Sequence, residues 1–247
     1  MNYSNCPRCN GLISNSRYNC MHCGYIKENL KVCPNCGEVL NNETAVCSTC
    51  TYKFNTIKLE FNKLEVGSII KFGNYKGESI EWLILAVQEN KALIITKYVV
   101  DCHSFDKNHK FYDVSEIRRF INNTFYNDSF NDIEKDKILT TFVDNSVNSI
   151  KHCTDTADKI FLLSLKEVKK YFKTDKDRIA YPSEYAKTNG IYICDNSAVM
   201  WWLRNNIENL ETDAYLIDDK GMIYDRNTWY PDFGVRPACW IDLREVK

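Results

Sequence analysis

The sequence has no long apolar run, no surplus of basic residues and little glycine or proline. Its longest apolar stretch, WLILAV at Trp82–Val87, falls far short of the roughly 20 residues that cross a bilayer as a helix. No membrane association is therefore expected. The opening MNYSNCPRC lacks a basic stretch followed by an apolar run, so no secretory leader is expected either. Lys and Arg number 32 against 33 Asp and Glu, a formal net charge of −1. A protein whose main work is gripping a polyanion needs a cationic surplus, so that class is not favoured. Glycine occurs 9 times and proline 5 times. There is no glycine-rich phosphate loop, no G-x-S-x-G elbow and no H-E-x-x-H helix. What remains, 44% hydrophobic and 26% charged residues in a chain of 247, is the composition of an ordinary packed protein.

Cysteine is what the chain does have. Eight of its 12 cysteines lie in the first 50 residues, all in C-x-x-C pairs. The expected compartment is the cytoplasm, where thiols stay reduced and such pairs read as metal ligands rather than disulfides. Cys6, Cys9, Cys20 and Cys23 recur 27 positions later as Cys33, Cys36, Cys47 and Cys50. Each unit reads C-x2-C-x10-C-x2-C, and two C-x-x-C turns complete a tetrahedron of sulfur around one ion. Gly24 and Gly37 follow two of the pairs and Asn10 a third. These types tolerate the positive φ of a tight metal-binding turn. Thr51, after the fourth pair, departs from that pattern and predicts a looser turn. The spacers, such as GEVLNNETAV, suit a hairpin running from one turn to the next.

Both blocks resemble zinc ribbons, and the tandem resembles a double zinc ribbon. Two structural zinc ions per chain are expected, with iron in a rubredoxin-like site as the alternative. Four sulfur ligands leave no open coordination position for chemistry. A unit of about twenty residues cannot bury enough apolar surface to fold alone, and the metal supplies what the core lacks. Residues 1–55 carry five basic and three acidic side chains. Each centre adds −2, so the ribbons come to about −2 overall. A protein partner is therefore expected ahead of nucleic acid, which a patch around Arg8 and Arg17 keeps as an alternative. Oligomeric state is not legible.

The domains expected are ribbon 1 at 1–28, ribbon 2 at 29–55, a linker at 56–64 and one larger domain at 65–247. In the last, Ile69–Phe72, Ile80–Val87 and Lys91–Val100 read as a three-stranded meander with a turn at GNYKG. Helices follow: one opened by Asp113-Val-Ser-Glu116 with Ile117, Phe120, Ile121 and Phe125 inward, one from Asn131, one from Ser164. KIFLLS at Lys159–Ser164 reads as a buried strand. From Gly190 short strands return: IYI, AVMWWLR, AYLI, MIYD and VRPACWIDL, with a hairpin turn at Asp218–Gly221. Strands, helices, then strands make an α+β domain.

That order, with W-W-L-R at Trp201–Arg204 and G-V-R-P-A at Gly234–Ala238, resembles a bacterial and phage family of unknown function. The end of the chain is also similar to the C-type-lectin-like fold of formylglycine-generating-enzyme relatives. The resemblance implies an antiparallel body with a few helices and a binding face built from late loops. The copper-binding cysteine pair of those enzymes has no counterpart here, which argues against carrying the oxidase activity over.

Within the body, Cys102-His103 and His152-Cys153 invite a nucleophile–base reading. Strand neighbours point to opposite faces, so neither pair forms a dyad by itself; Cys102 with His152 is the cross-pair to examine. Cys194 and Cys239 read as small buried hydrophobes in strands. Trp201, Trp202, Arg204, Arg236 and Trp240 are expected to be structural, with alternate members in the core. The ligand-binding candidates are Arg226, Trp229, Tyr230 and Phe233 in DRNTWYPDFG, because such side chains are costly to leave in water without a partner. The reading is a non-enzymatic adaptor: ribbons dock a protein, and a lectin-like body presents this loop to a ligand. The alternatives are a divergent formylglycine-generating-like enzyme and a nucleic-acid binder acting through the ribbons.

Overall fold

A computed structural model describes residues 3–6, 8–14, 19–23, 25, 30–33, 35–41, 44, 46–52, 64–146, 153–208 and 210–244. The chain divides into two compact units, Met1–Lys58 and Leu59–Lys247. Among the described residues no helix is long and apolar enough to cross a membrane.

The first unit holds two small hairpins. β1 (Tyr3–Asn5) pairs with β2 (Leu12–Ser14), and β3 (Leu30–Val32) pairs with β4 (Val39–Asn41). Tyr3 faces Ser14 in the first and Leu30 faces Asn41 in the second, so the sequence repeat is a repeat of register. Each hairpin closes around its first C-x-x-C turn. The first part of each spacer therefore pairs back on the strand before its turn. The position Gly24 and the linker residues 53–63 lie outside the described residues.

The second unit is α+β and mostly antiparallel. β5 (Ile69–Tyr75), β6 (Glu78–Gln88) and β7 (Lys91–Thr96) form the meander, and β15 (Ala238–Asp242) joins it beside β7. The second sheet orders β13 (Ile223–Asn227), β12 (Leu210–Ile217), β11 (Trp201–Ile207), β14 (Gly234–Val235) and β8 (Asp101–Cys102). A small hairpin of β9 (Thr141–Val143) and β10 (Thr156–Asp158) stands apart. VRPACWIDL thus supplies two strands: the chain leaves one sheet after Val235 and enters the other at Ala238.

Central strands here are covered on both faces, which is why they read as unbroken apolar runs. On β7, Ala92 and Ile94 enter one core while Leu93 and Ile95 enter a second. On β11, Trp202 enters the first and Trp201 the second. Both tryptophans are fully buried, so the expected alternation of core and surface across the W-W-L-R motif is replaced by alternation between two cores. The first core is closed by α1 (Glu116–Phe120) and a π-turn over Ile121–Phe125, whose Ile117, Ile121 and Phe125 point inward.

The first helix begins two residues later than its motif suggests. Ser115, not Asp113, is the N-cap, accepting from the Arg118 amide. The other two expected caps form complete capping boxes: Asn131 with Glu134 on α2 (Asp132–Lys137) and Ser164 with Glu167 on α3 (Leu165–Tyr171). KIFLLS is buried but is not a strand. Its one ladder contact is Phe161 with Ala238, exchanging both N–H···O bonds at 2.9 and 2.7 Å. Side chains satisfy much of the rest: Tyr112 Oη accepts from Leu162 N, and Arg204 donates to Leu162 O at 2.8 Å. IYI at residues 191–193 likewise forms no strand; Tyr192 N donates to Asp232 O at 3.0 Å.

Candidate metal centres and ligand-facing surfaces

Each ribbon brings four sulfur atoms together, all within 4.8 Å of one another in each group. In the first, Cys6 Sγ lies 3.6 Å from Cys23 Sγ and Cys9 Sγ 3.6 Å from Cys20 Sγ. In the second, the Cys33–Cys50 and Cys36–Cys47 separations are 3.5 and 3.6 Å. Disulfides would be about 2 Å. A tetrahedron with 2.3 Å arms has edges of about 3.8 Å, so the cages fit a Zn–S centre. The two groups could hold two zinc ions.

The turns that aim these thiols are built alike. Asn10 N donates to Cys6 O at 2.8 Å, Gly37 N to Cys33 O at 2.8 Å and Thr51 N to Cys47 O at 2.9 Å. Cys6, Cys33 and Cys47 each then donate back to the residue after the turn. Asn10, Gly37 and Thr51 have φ of 60, 76 and 58°. The Thr51 turn is therefore no looser than the others; the hydrogen bonds and cage hold a β-branched residue in left-handed backbone. Amides also prepare the ligands. Burial opposes the Cys20 thiolate, but the His22 and Cys23 amides outweigh it and bring the thiol down to about 6. The Asn35 side chain and the Tyr52 amide do the same for Cys50, also to about 6. Packing four thiols together has the opposite effect on one member of each cage. The Gly11 amide favours the Cys9 thiolate, yet hydrogen bonding to Cys23 and burial push it up to about 12. A divalent cation relieves that crowding.

In the body, the loop candidates separate. Phe233 is buried and meets Trp202 with ring centroids 5.3 Å apart. Trp229 and Tyr230 are 54% and 38% exposed, stacked at 5.2 Å, with Tyr230 resting 5.3 Å from Phe233. Arg226 lies over Tyr224, 4.3 Å from its ring. The loop thus holds an exposed aromatic pair on a buried aromatic foot. Gly234 is needed beside it: a Cβ there would stand 2.8 Å from Met200 O and 2.5 Å from a Val99 methyl.

The Trp and Arg side chains of W-W-L-R and G-V-R-P-A brace the core. Trp201 Nε1 donates to Arg178 O and Trp202 Nε1 to His103 O, at 3.0 and 2.9 Å. Arg204 pairs with Glu167 and donates to Leu162 O and Asp144 O. Arg236 has no carboxylate; it donates to Thr96 O at 2.9 Å and sits 4.9 Å from the Trp201 ring. Burial pulls its guanidinium down to about 9, which leaves it charged at neutral pH.

Burial raises all four body thiols above the ordinary thiol range. Burial pushes Cys102 and Cys153 up to about 11, and fully buried Cys239 higher still. None forms a disulfide, and Cys194 lies half-buried in a loop rather than in a strand. His103 uses Nδ1 on Ser104 O and stacks on Phe120. His152, and with it the cross-pair to Cys102, lies outside the described residues. Sequence reasoning missed a cavity of about 510 Å³ lined from β5, β6 and residues 181–187. Its side chains come from four separated segments with no motif among them, so no local signal marks it.

No curated protein and no solved structure matches the chain. Residues 89–243, more than half of the chain, match the family model described as Domain of unknown function (DUF6273), and the chain belongs to that family.

Proposed function

We propose that the chain is a non-enzymatic adaptor: two structural zinc ribbons dock a protein partner, and a C-type-lectin-like body presents Asp225–Gly234 to a ligand. The observation that carries the reading is the Trp229–Tyr230 pair. Two large rings stand in water on a loop anchored by buried Phe233 and Thr228. Rigid, exposed aromatics cost little entropy to immobilise and are the side chains that dominate binding surfaces. Sulfur-only coordination supports a structural metal, since no ligand position remains open.

The alternative of a thiol-dependent enzyme needs a thiolate at neutral pH, and raised Cys102 and Cys153 work against it. Nucleic-acid binding through the ribbons is disfavoured by their overall negative charge. The test is affinity capture from the native cell with the zinc-loaded full chain, a chain lacking residues 1–55, and Trp229→Ala/Tyr230→Ala. The expected result is one protein lost with the ribbons and a separate ligand lost with the aromatic pair. Identical captures from all three, or multiple turnover of a small molecule by the pure chain, would overturn the proposal.

A further inference from the structure

The cavity beside the β5–β6 hairpin has a chemical character of its own. Its floor is apolar: Tyr75, Ile80 and Val100 are each no more than 5% exposed. Tyr98 and Tyr181 form walls, with Pro182 next to Tyr181 in the chain. The volume of about 510 Å³ lies within the usual range of small-molecule sites.

Its charges are nearly all spoken for. Glu81 takes the Lys97 ammonium at 2.8 Å, and Glu184 takes Lys187 at 2.5 Å. Glu78 accepts the Tyr185 amide at 2.6 Å. Tyr75 spends its hydroxyl on Asp101 at 2.6 Å, and Asp101 also accepts from Asn189 and the Cys102 amide. Lys71 is the exception. It stands across the ladder from Glu81, which Lys97 already holds and which feels Lys71 only as a lesser nearby charge, and it makes no hydrogen bond or ion pair with any of the described residues. Two of its three tyrosine rings already carry a cation: Lys97 lies 4.8 Å from the Tyr98 ring and Lys76 5.2 Å from that of Tyr75.

We propose that this cavity binds a small apolar carboxylate, its body on Ile80, Val100 and the tyrosine walls and its charge on Lys71. A neutral apolar ligand would leave the Lys71 ammonium unused. A cation would compete with Lys97 and Lys76 for two of the three rings and would be repelled by Lys71. The site is separate from the Asp225–Gly234 loop, and its test does not depend on that loop.

The experiment is calorimetric titration of the zinc-loaded full chain with 4-phenylbutyrate, and with 4-phenylbutylamine as the same body carrying the opposite charge. The acid is expected to saturate one site per chain and to bind at least about tenfold more tightly than the amine. Lys71→Gln, at an exposed position, should bring the acid down to the level of the amine while unfolding at the wild-type temperature. Tyr181→Ala should weaken the acid without removing its advantage over the amine, and Trp229→Ala should leave both unchanged. No saturable binding of the acid, binding of the amine as tight as the acid, or acid binding unchanged in Lys71→Gln would each refute the proposal.

Discussion

Among the described residues, Thr51 is the one β-branched side chain held in left-handed backbone. Left-handed backbone costs an L-residue about 1–2 kcal/mol, and glycine escapes that cost while losing somewhat more entropy on folding. Thr51 at φ 58° bears it, whereas Gly37, at 76° in the same unit, does not. Thr51→Gly is therefore expected to stabilise ribbon 2 by about 1 kcal/mol, and Gly37→Ala to destabilise it by a similar amount. In competition with a zinc chelator, the second zinc should leave the glycine variant at about fivefold higher chelator and the alanine variant at correspondingly lower chelator. Unchanged release in both would mean the turns do not control the metal site. Residue type alone suggested a loose turn at Thr51. The structure reverses that inference because two hydrogen bonds and two thiol ligands on the same turn constrain φ more strongly than one side chain resists it.

At the scale of elements, the sequence was most informative where one local device defines the element. The capping boxes at Asn131 and Ser164 and the Asp218–Gly221 hairpin were readable because each is complete within a few residues. At Gly221, φ is 81° and a Cβ would fall 1.7 Å from Asp175 O, so turn and packing demand the same residue. KIFLLS was misread because apolarity reports burial and not ladder pairing. Its Ile160 carbonyl goes to Asn122 and its Leu162 and Leu163 carbonyls to Arg204, about forty positions away on either side, and no window of sequence shows that. Glu167 ties these pieces together: it accepts Ser164 N at 2.8 Å and Ser164 Oγ at 3.0 Å and pairs with Arg204, whose side chain is 3% exposed. Glu167→Ala removes the capping partner and strands a buried guanidinium. The expected loss is about 3 kcal/mol, read from the urea midpoint of the intact chain. A loss below about 1 kcal/mol would show that carbonyls alone sustain Arg204.

For the whole molecule, the decisive contrast is in what each unit buries. The body has two apolar cores that together include Trp82, Trp201 and Trp202. In the first unit, the fully described buried apolar side chains are Cys6, Cys20, Cys33 and Cys47, which are also metal ligands. Burial of four thiols cannot by itself offset backbone ordering at about 1–2 kcal/mol for each described residue of that unit. Metal binding of about 10–16 kcal/mol per site can stabilise each small hairpin against its own unfolding. Removing the metal should therefore unfold Met1–Lys58 and leave the second unit standing, since nothing in either body core is a metal ligand. The measurement is elemental analysis with thermal unfolding before and after chelation. It should find two zinc ions per chain, loss of the hairpin amide protection in the first unit, and a body transition displaced by no more than a few degrees. Retention of the protected amides of β1–β4 in the stripped chain would show that the ribbons fold on side-chain packing, and the metal would then have to be sought in chemistry instead of architecture.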